Sequence, residues 1–352
     1  MRPTKIVKVG SLKHDEGYIN QAAQILKSGG LVIIPTETVY GIAANMLNEK
    51  AIGRLSKIKQ RPAIKPFSLH ICKKESIDEF ATDIPPAAYK LMDKFWPGPL
   101  TLILKSKNQN SIGMRMPDNE IAFKVISRSG VPVVCPSANI SGKPAPINFG
   151  DAIKDLFGLV DFAIDAGNTR LAQESSVVDL TGLPLRLIRE GAIKKEDIEA
   201  VVNKKTVLFI CTGNSCRSVM ASALLKKMLQ EKNRSDVEVL SAGIMMLGGM
   251  GATEQTKEIL KEEGMDVSTH LSQMVTKDMI DKSDIVLVME KIHEEKILQA
   301  EPRAKNRVFL LKEFARMNNS LDIADPIGKS TEFYRSIFAN IKQAVERIID
   351  II

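Results

Sequence analysis

Apolar and polar positions change period many times along this chain, and each change marks an element. Residues 18–29, YINQAAQILKSG, repeat apolar positions every three to four residues, which predicts an amphipathic helix. LVIIP follows, an unbroken apolar run too short for a helix and bounded by glycine and proline, which predicts a buried strand. LTLIL, VPVVCP and DFAID are runs of the same kind, and AAYKLMDKFW is a second helical pattern. This mixture predicts an α/β sheet domain. The pattern resets near residue 203, where a strand-like LRLI has given way to the charged, amphipathic stretch ending in VVNKK and TVLFI opens a new buried strand. From there strand and helix alternate: SVMASALLKKMLQEK, VEVLSAG, ATEQTKEILKEEG, DIVLVM, RVFLL, and a last helix from near Thr331. Such alternation predicts a parallel sheet covered on both faces, with ligands at the carboxyl ends of its strands. The reading is two α/β domains, residues 1–203 and 204–352, with no internal repeat.

Composition narrows the class. A length of 352 residues suits two domains of roughly 100–200 residues each. No apolar run approaches the ~18 residues of a membrane helix, and the first residues lack a signal-like apolar stretch. A cytoplasmic protein with no membrane partner is expected. Four cysteines, Cys72, Cys135, Cys211 and Cys216, are too few for a disulfide scaffold. The four histidines stand singly, so no protein-held metal is expected. The net charge of +7 is uneven, with 27 Lys and Arg against 21 Asp and Glu up to residue 203, and 22 against 21 beyond it. A lysine-rich solvated surface and a site for a polyanion such as ATP or RNA both fit that excess.

The sharpest chemical signal follows TVLFI. Cys211-Thr212-Gly213-Asn214-Ser215-Cys216-Arg217-Ser218 sets a cysteine and an arginine at the two ends of one short loop between strand and helix. Successive backbone N–H groups of such a loop curl round an anion, and the helix start adds its positive end. Arg217 offers a planar fork for two phosphate oxygens. The same field favours a thiolate at Cys211. Gly213 and Asn214 suit left-handed turns, and Ser218 can donate to the thiolate and start the helix. A buried cysteine closing a strand is the plainer reading of Cys211 taken alone; the whole string in strand–loop–helix context outweighs it. A leaving group also needs an acid, and Asp325 in DIADPIG, between the last strand and the last helix, is the candidate. Taken alone that motif is an Asp-Pro turn.

These segments, with SAGI, DVSTHLS and DIVLVMEKIH, resemble the low-molecular-weight protein phosphatase family over nearly all of the second half. The resemblance implies a flavodoxin-like fold, Cys211 as nucleophile, Arg217 as phosphate binder, Asp325 as general acid and then base, a phosphoprotein substrate, and no cofactor. It also matches Cys216 to a second loop cysteine able to form a protective disulfide with Cys211; small-residue packing is an equal alternative. Val219 departs from the family's usual proline, which touches only the helix start. Ser215 is small and polar, like the threonine of phosphoarginine-directed members, and Ile327-Gly328 replace the aromatic residues of tyrosine-directed ones. Phosphoarginine is therefore favoured, with phosphotyrosine as the alternative.

The first half carries PTETVYG (35–41), KIKQRP (57–62) with Lys65, Ser68 and His70, WPGPLT (96–101), MRMP (114–117), SANISG (137–142), SSVVD (175–179) and IREG (188–191). Each alone is a turn or a strand end. In this order they resemble the YrdC-like family of L-threonylcarbamoyladenylate synthases over about residues 15–195. The resemblance implies a twisted mixed sheet and condensation of L-threonine, bicarbonate and ATP, with Mg2+ on the phosphates. A transferase complex would then pass the product's threonylcarbamoyl group to tRNA. Lys59, Arg61, Lys65, Asn139 and Arg189 would meet ATP. Arg115 would hold the threonine carboxylate, with Thr38, His70, Ser137 and Ser176 lining that pocket. The C-terminal extension of longer members is absent. An RNA-binding first half is the competing reading, with its charge serving phosphate contacts.

Overall fold

The computed structural model describes residues 3–10, 15–60, 67–182, 184–245, 248–317 and 320–352. The chain divides into two compact units, Met1–Glu199 and Ala200–Ile352, and the division falls inside the helix Lys195–Val202.

Among its described residues the first unit has ten strands: β1 Lys5–Lys8, β2 Val32–Ile34, β3 Gly41–Asn45, β4 Leu69–His70, β5 Leu100–Lys105, β6 Ser111–Arg115, β7 Val133–Val134, β8 Phe162–Asp165, β9 Ser176–Asp179 and β10 Arg186–Arg189. Their order across the sheet is β1-β8-β2-β3-β7-β4-β6-β5-β9-β10, with parallel and antiparallel pairs mixed. The apolar run at 31–34 is unbroken because the sheet is covered twice. Val32 and Ile34 join Phe162 and Ile164 in one core cluster, while Leu31 and Ile33 join Ala163 in another. The helix Glu16–Lys27 buries Ile19, Ala22, Ala23 and Leu26, one face at helical spacing. It joins Ile121, Ala122 and Val125 of the helix Glu120–Ser129 in the first of those clusters.

The second unit is a four-stranded parallel sheet. Its strands are β11 Lys205–Cys211, β12 Val237–Gly243, β13 Ile285–Val288 and β14 Val308–Leu310, in the order β12-β11-β13-β14. Alternate residues of β11 serve opposite faces. Val207, Phe209 and Cys211 pack with the helices Arg217–Glu231 and Thr331–Ile348; Leu208 and Ile210 pack with Ile280 and Ile297. That is the covered parallel sheet expected from the alternation. The helices Lys277–Lys282 and Lys291–Ala300, not foreseen in the pattern, flank β13. No described helix is long and apolar enough to cross a membrane.

Candidate active sites

In the first unit, β2 ends at Ile34 and the chain turns through Pro35 to Thr38 before pairing back as β3. Thr36 closes this turn on itself. Its hydroxyl donates to Val39 O at 2.6 Å and accepts from the Thr38 and Val39 N–H groups. The turn presses Glu37 against Arg115, at the end of β6, with 2.7 Å between carboxylate and guanidinium and both side chains buried. Arg115 also donates to Thr38 Oγ1 at 2.8 Å and to Gly98 O at 3.3 Å. The second carboxylate oxygen of Glu37 is buried and has no partner among the described residues.

Across the cavity, the helix Glu49–Lys59 stops where Gln60 turns left-handed at φ 46°. Lys59 is thereby aimed at the loop after β7. Its ammonium donates to Ser137 O (2.8 Å), Asn139 O (2.7 Å) and Asn139 Oδ1 (2.8 Å). On the far strands, Arg189 donates to Ser175 O at 2.9 Å and pairs with Glu174. Gly191 makes that turn possible: a Cβ there would stand 2.2 Å from Glu174 O, a backbone atom that cannot give way.

These pieces enclose a cavity of about 650 Å³, within the usual range for small-molecule sites, ~300–1,000 Å³. Six of the expected residues line it: Lys59, His70, Arg115, Ser137, Asn139 and Arg189. His70 is neutral there, because burial first and then the Arg115 charge push it down to about 3. Two expected residues are not on the wall. Thr38 is fully buried behind Arg115 and braces it. Ser176 is fully buried as well, its hydroxyl consumed by Gly191 N, Ile193 N and Ile193 O; its neighbour Ser175 faces the cavity instead. Strand alternation makes the two serines point opposite ways. Arg61 and Lys65 lie outside the described residues. Glu37 escaped the motif reading, yet it is the only charged residue between Lys27 and Glu49. A lone charge in an apolar run is the signal that finds it.

In the second unit, β11 delivers Cys211 to the carboxyl edge of the sheet, and the chain loops through 212–216 into the helix that starts at Arg217. Ser218 therefore sits within the first helical turn rather than capping it; Cys216 holds the N-cap position. Only Asn214 is left-handed, at φ 54°; Gly213 is not. The loop is braced from inside. Ser218 Oγ lies 3.0 Å from Cys211 Sγ, and Asn214 Nδ2 donates to Ser218 Oγ at 3.0 Å and to Ser241 Oγ at 3.1 Å. His270 Nε2 meets Asn214 O at 2.7 Å, and Gln273 N donates to Asn214 Oδ1 at 3.0 Å. Beside it, Gly243 ends β12 so close that a Cβ would stand 2.7 Å from Thr212 O.

Arg217 is 1 % exposed. It donates to Ile323 O at 2.7 Å and to Thr212 Oγ1 at 3.0 Å, and pairs with Glu290 and Asp325. Its Nε is buried and has no partner among the described residues. The expected acid thus stands beside the expected phosphate binder, although 108 residues separate them in sequence. No motif assigns Glu290 a role; its position two residues past the end of β13 is the available clue. Cys216 is buried and free, with Thr253 Oγ1 at 3.5 Å and Tyr334 Oη at 3.6 Å. Among the described residues no group of three or more His, Cys, Asp or Glu could hold a metal.

Known proteins align with each unit, and one solved structure with nearly the whole chain. Residues 24–191 match the Sua5–YciO–YrdC family model, described as telomere recombination, and residues 206–352 match the model for low-molecular-weight phosphotyrosine protein phosphatase. A threonylcarbamoyl-AMP synthase of Pyrococcus abyssi is 42% identical over 60% of this chain, which spans 64% of that relative's length. A putative threonylcarbamoyl-AMP synthase of Methanocaldococcus jannaschii is 37% identical over 54% of this chain and 94% of its own. A protein-arginine-phosphatase of Geobacillus stearothermophilus is 38% identical over 41% of this chain and 93% of its own. A crystal structure of P. abyssi Sua5 complexed with L-threonine superposes with a TM-score of 0.53 at 26% identity, covering 97% of both chains.

Proposed function

From a chain whose residues 24–191 belong to the Sua5–YciO–YrdC family and whose residues 206–352 belong to the low-molecular-weight phosphatase family, we propose two enzymatic activities. Residues 1–203 make L-threonylcarbamoyladenylate, and residues 204–352 hydrolyse phosphoprotein through a phosphocysteine. Both are assigned to the cytoplasm.

For the first activity the supporting observation is the cavity that gathers Lys59, His70, Arg115, Ser137, Asn139 and Arg189 from four separate motifs. The neutral threonine amine adds to CO2 with loss of a proton to solvent, or to bicarbonate with loss of water, and becomes a carbamate. A carbamate oxygen attacks the α-phosphorus of ATP, the bond to the β-phosphate oxygen breaks, and pyrophosphate leaves. No protein nucleophile is required, so catalysis is positioning and charge neutralisation. Arg115, held in place by Glu37 and Thr38, receives the threonine carboxylate. Neutral His70 offers hydrogen bonds without repelling the ammonium of the incoming amino acid. Lys59 orders the 137–139 loop against the nucleotide, with Asn139 and Arg189 beside it and Arg61 and Lys65 assigned to the phosphates. The one described carboxylate on the cavity wall, Glu174, is paired with Arg189. Mg2+ accordingly enters on ATP, as part of the substrate. The product's threonylcarbamoyl group goes on to tRNA through a separate transferase complex.

Threonine- and bicarbonate-dependent exchange of pyrophosphate into ATP tests this activity, and its absence would return the first unit to an RNA-binding reading. Arg115→Ala is expected to raise the KM for threonine by ~10²-fold, the weight of a charge-assisted pair, while the KM for ATP moves far less. Unchanged threonine affinity would misplace the carboxylate.

For the second activity, support comes from Cys211 at the sheet edge, its sulfur beside Ser218 Oγ and Arg217 close behind. The thiolate attacks phosphorus, the bond to the leaving nitrogen or oxygen breaks, and Asp325 supplies that atom's proton. Water then attacks the phosphocysteine, returns its proton to Asp325, and releases orthophosphate and the thiolate.

Phosphoarginine is the favoured substrate. The half-buried Ser215 leaves a small polar space where an aliphatic side chain would favour a ring, and the Geobacillus relative is named an arginine phosphatase. Ser215→Ile should lower phosphoarginine turnover by ~10-fold or more while sparing or raising phosphotyrosine turnover. Wild-type cleavage of phosphotyrosine peptides with no phosphate released from phosphoarginine would overturn the preference.

A further inference from the structure

The helix Lys291–Ala300 starts just beyond β13, with Glu290 at its N-cap. His293, in its first turn, is completely buried. Its Nδ1 accepts the Glu290 backbone N–H at 3.1 Å, so in the neutral ring that nitrogen carries no proton. The proton sits on Nε2, which lies 3.0 Å from Thr212 Oγ1, in the loop next to Cys211. The same Oγ1 receives Nη2–H of Arg217 at 3.0 Å. Two donors occupy both lone pairs of the hydroxyl. Meanwhile the other terminal nitrogen of Arg217 is held by the Glu290 carboxylate. One imidazole thus ties the helix start to the loop, and both of its contacts lead to Arg217.

We propose that His293 is a positioning residue of the phosphatase site: as the Nε2–H tautomer it fixes Thr212, and through Thr212 and Glu290 it sets the plane in which the Arg217 guanidinium receives phosphoryl oxygens. This rests on the phosphatase reading of the second unit. A buried histidine serving only to fill space would satisfy its nitrogens anywhere; here Nε2 is spent on the hydroxyl that Arg217 touches, and Nδ1 on the backbone of the residue whose carboxylate pairs with Arg217. The neutral form is the working one, since burial first and then the Arg217 charge push the ring down to about 4 against the opposing pull of Asp325 and Asp322, with Lys296 and Glu290 also facing it.

The full-length chain carries the test, in a Cys211→Ser background that binds an oxyanion without turning it over. The probe is inorganic phosphate, titrated calorimetrically. His293→Phe, which removes both hydrogen bonds, is expected to weaken phosphate about tenfold or more. His293→Gln keeps an acceptor and a donor on one amide, as in a capping box, and is expected within about threefold of its parent. Thr212→Val should weaken phosphate as His293→Phe does, and combining the two should add little, because the histidine acts through the threonine. Unchanged phosphate affinity in His293→Phe, or losses that multiply in the double variant, would overturn the proposal. If His293→Phe does not fold, Thr212→Val with His293→Gln decides: affinity unchanged by the first, or no better retained by the second, rejects it. A wild-type chain that releases no phosphate from any phosphoester or phosphoramidate, yet shows this dependence on His293, would sink the phosphatase reading and leave the positioning role standing.

Discussion

Replacing Cys211 with serine will abolish phosphate release, by a factor on the order of 10⁴ or more, and leave threonine-dependent ATP–pyrophosphate exchange at its wild-type rate. The sulfur ends β11 at the carboxyl edge of the sheet, buried and within hydrogen-bond distance of Ser218. A serine hydroxyl is isosteric but stays protonated at neutral pH, and the loop can lower the cost of an anion only if one forms. The rest of the cradle, held by Asn214, Ser241 and Arg217, survives the exchange, so loss of activity cannot be put down to loss of the site. Phosphate release from an acyclic phosphoramidate and from an aryl phosphate, measured beside the exchange reaction, checks both halves of the statement. Residual hydrolysis above about 1 % of wild type would mean that the nucleophile is another group.

Asp325→Asn is expected to slow turnover of substrates with poor leaving groups by ~10²–10⁴, and to slow p-nitrophenyl phosphate much less. The asparagine keeps the shape and removes the proton that the departing atom needs. A guanidine leaves poorly without that proton, so phosphoarginine should feel the change most. Asp325 also pairs with Arg217, and the lost charge should shift KM for every substrate alike. The diagnostic is therefore the leaving-group dependence of kcat, not the mean loss. Near-normal turnover of phosphoarginine by the asparagine variant would remove Asp325 from the proton path.

What the sequence discloses follows from where the causes lie. The double-faced strand at 31–34 and the alternating second half are legible because burial imposes a period on the residues themselves. The loop 211–218 is legible because anion, thiolate and arginine need one compact span. Thr38 and Ser176 read as pocket residues because motif membership says nothing about which way a side chain points; Thr38 braces Arg115, and Ser176 pins the turn at Gly191. Glu37, Glu290 and His293 act through partners 73 to 81 residues away. Only the folded sheet creates those distances, so no local pattern announces them. The glycines at 191 and 243 are the same case. Their need for no side chain comes from backbone that crosses them from elsewhere in the chain.

Orthophosphate, the product expected to sit on Arg217, is a folding ligand as well as a product. An anion that binds the folded cradle and not the unfolded chain stabilises the fold, so heat resistance and reaction history become linked. A preparation that has consumed much substrate, or one kept in phosphate buffer, should melt later than a fresh one in a buffer without oxyanions, by an amount equivalent to ~2.7 kcal/mol at a hundredfold excess over Kd. The same preparation should also work more slowly, because the anion that steadies the fold occupies the place where the next phosphoryl group must bind.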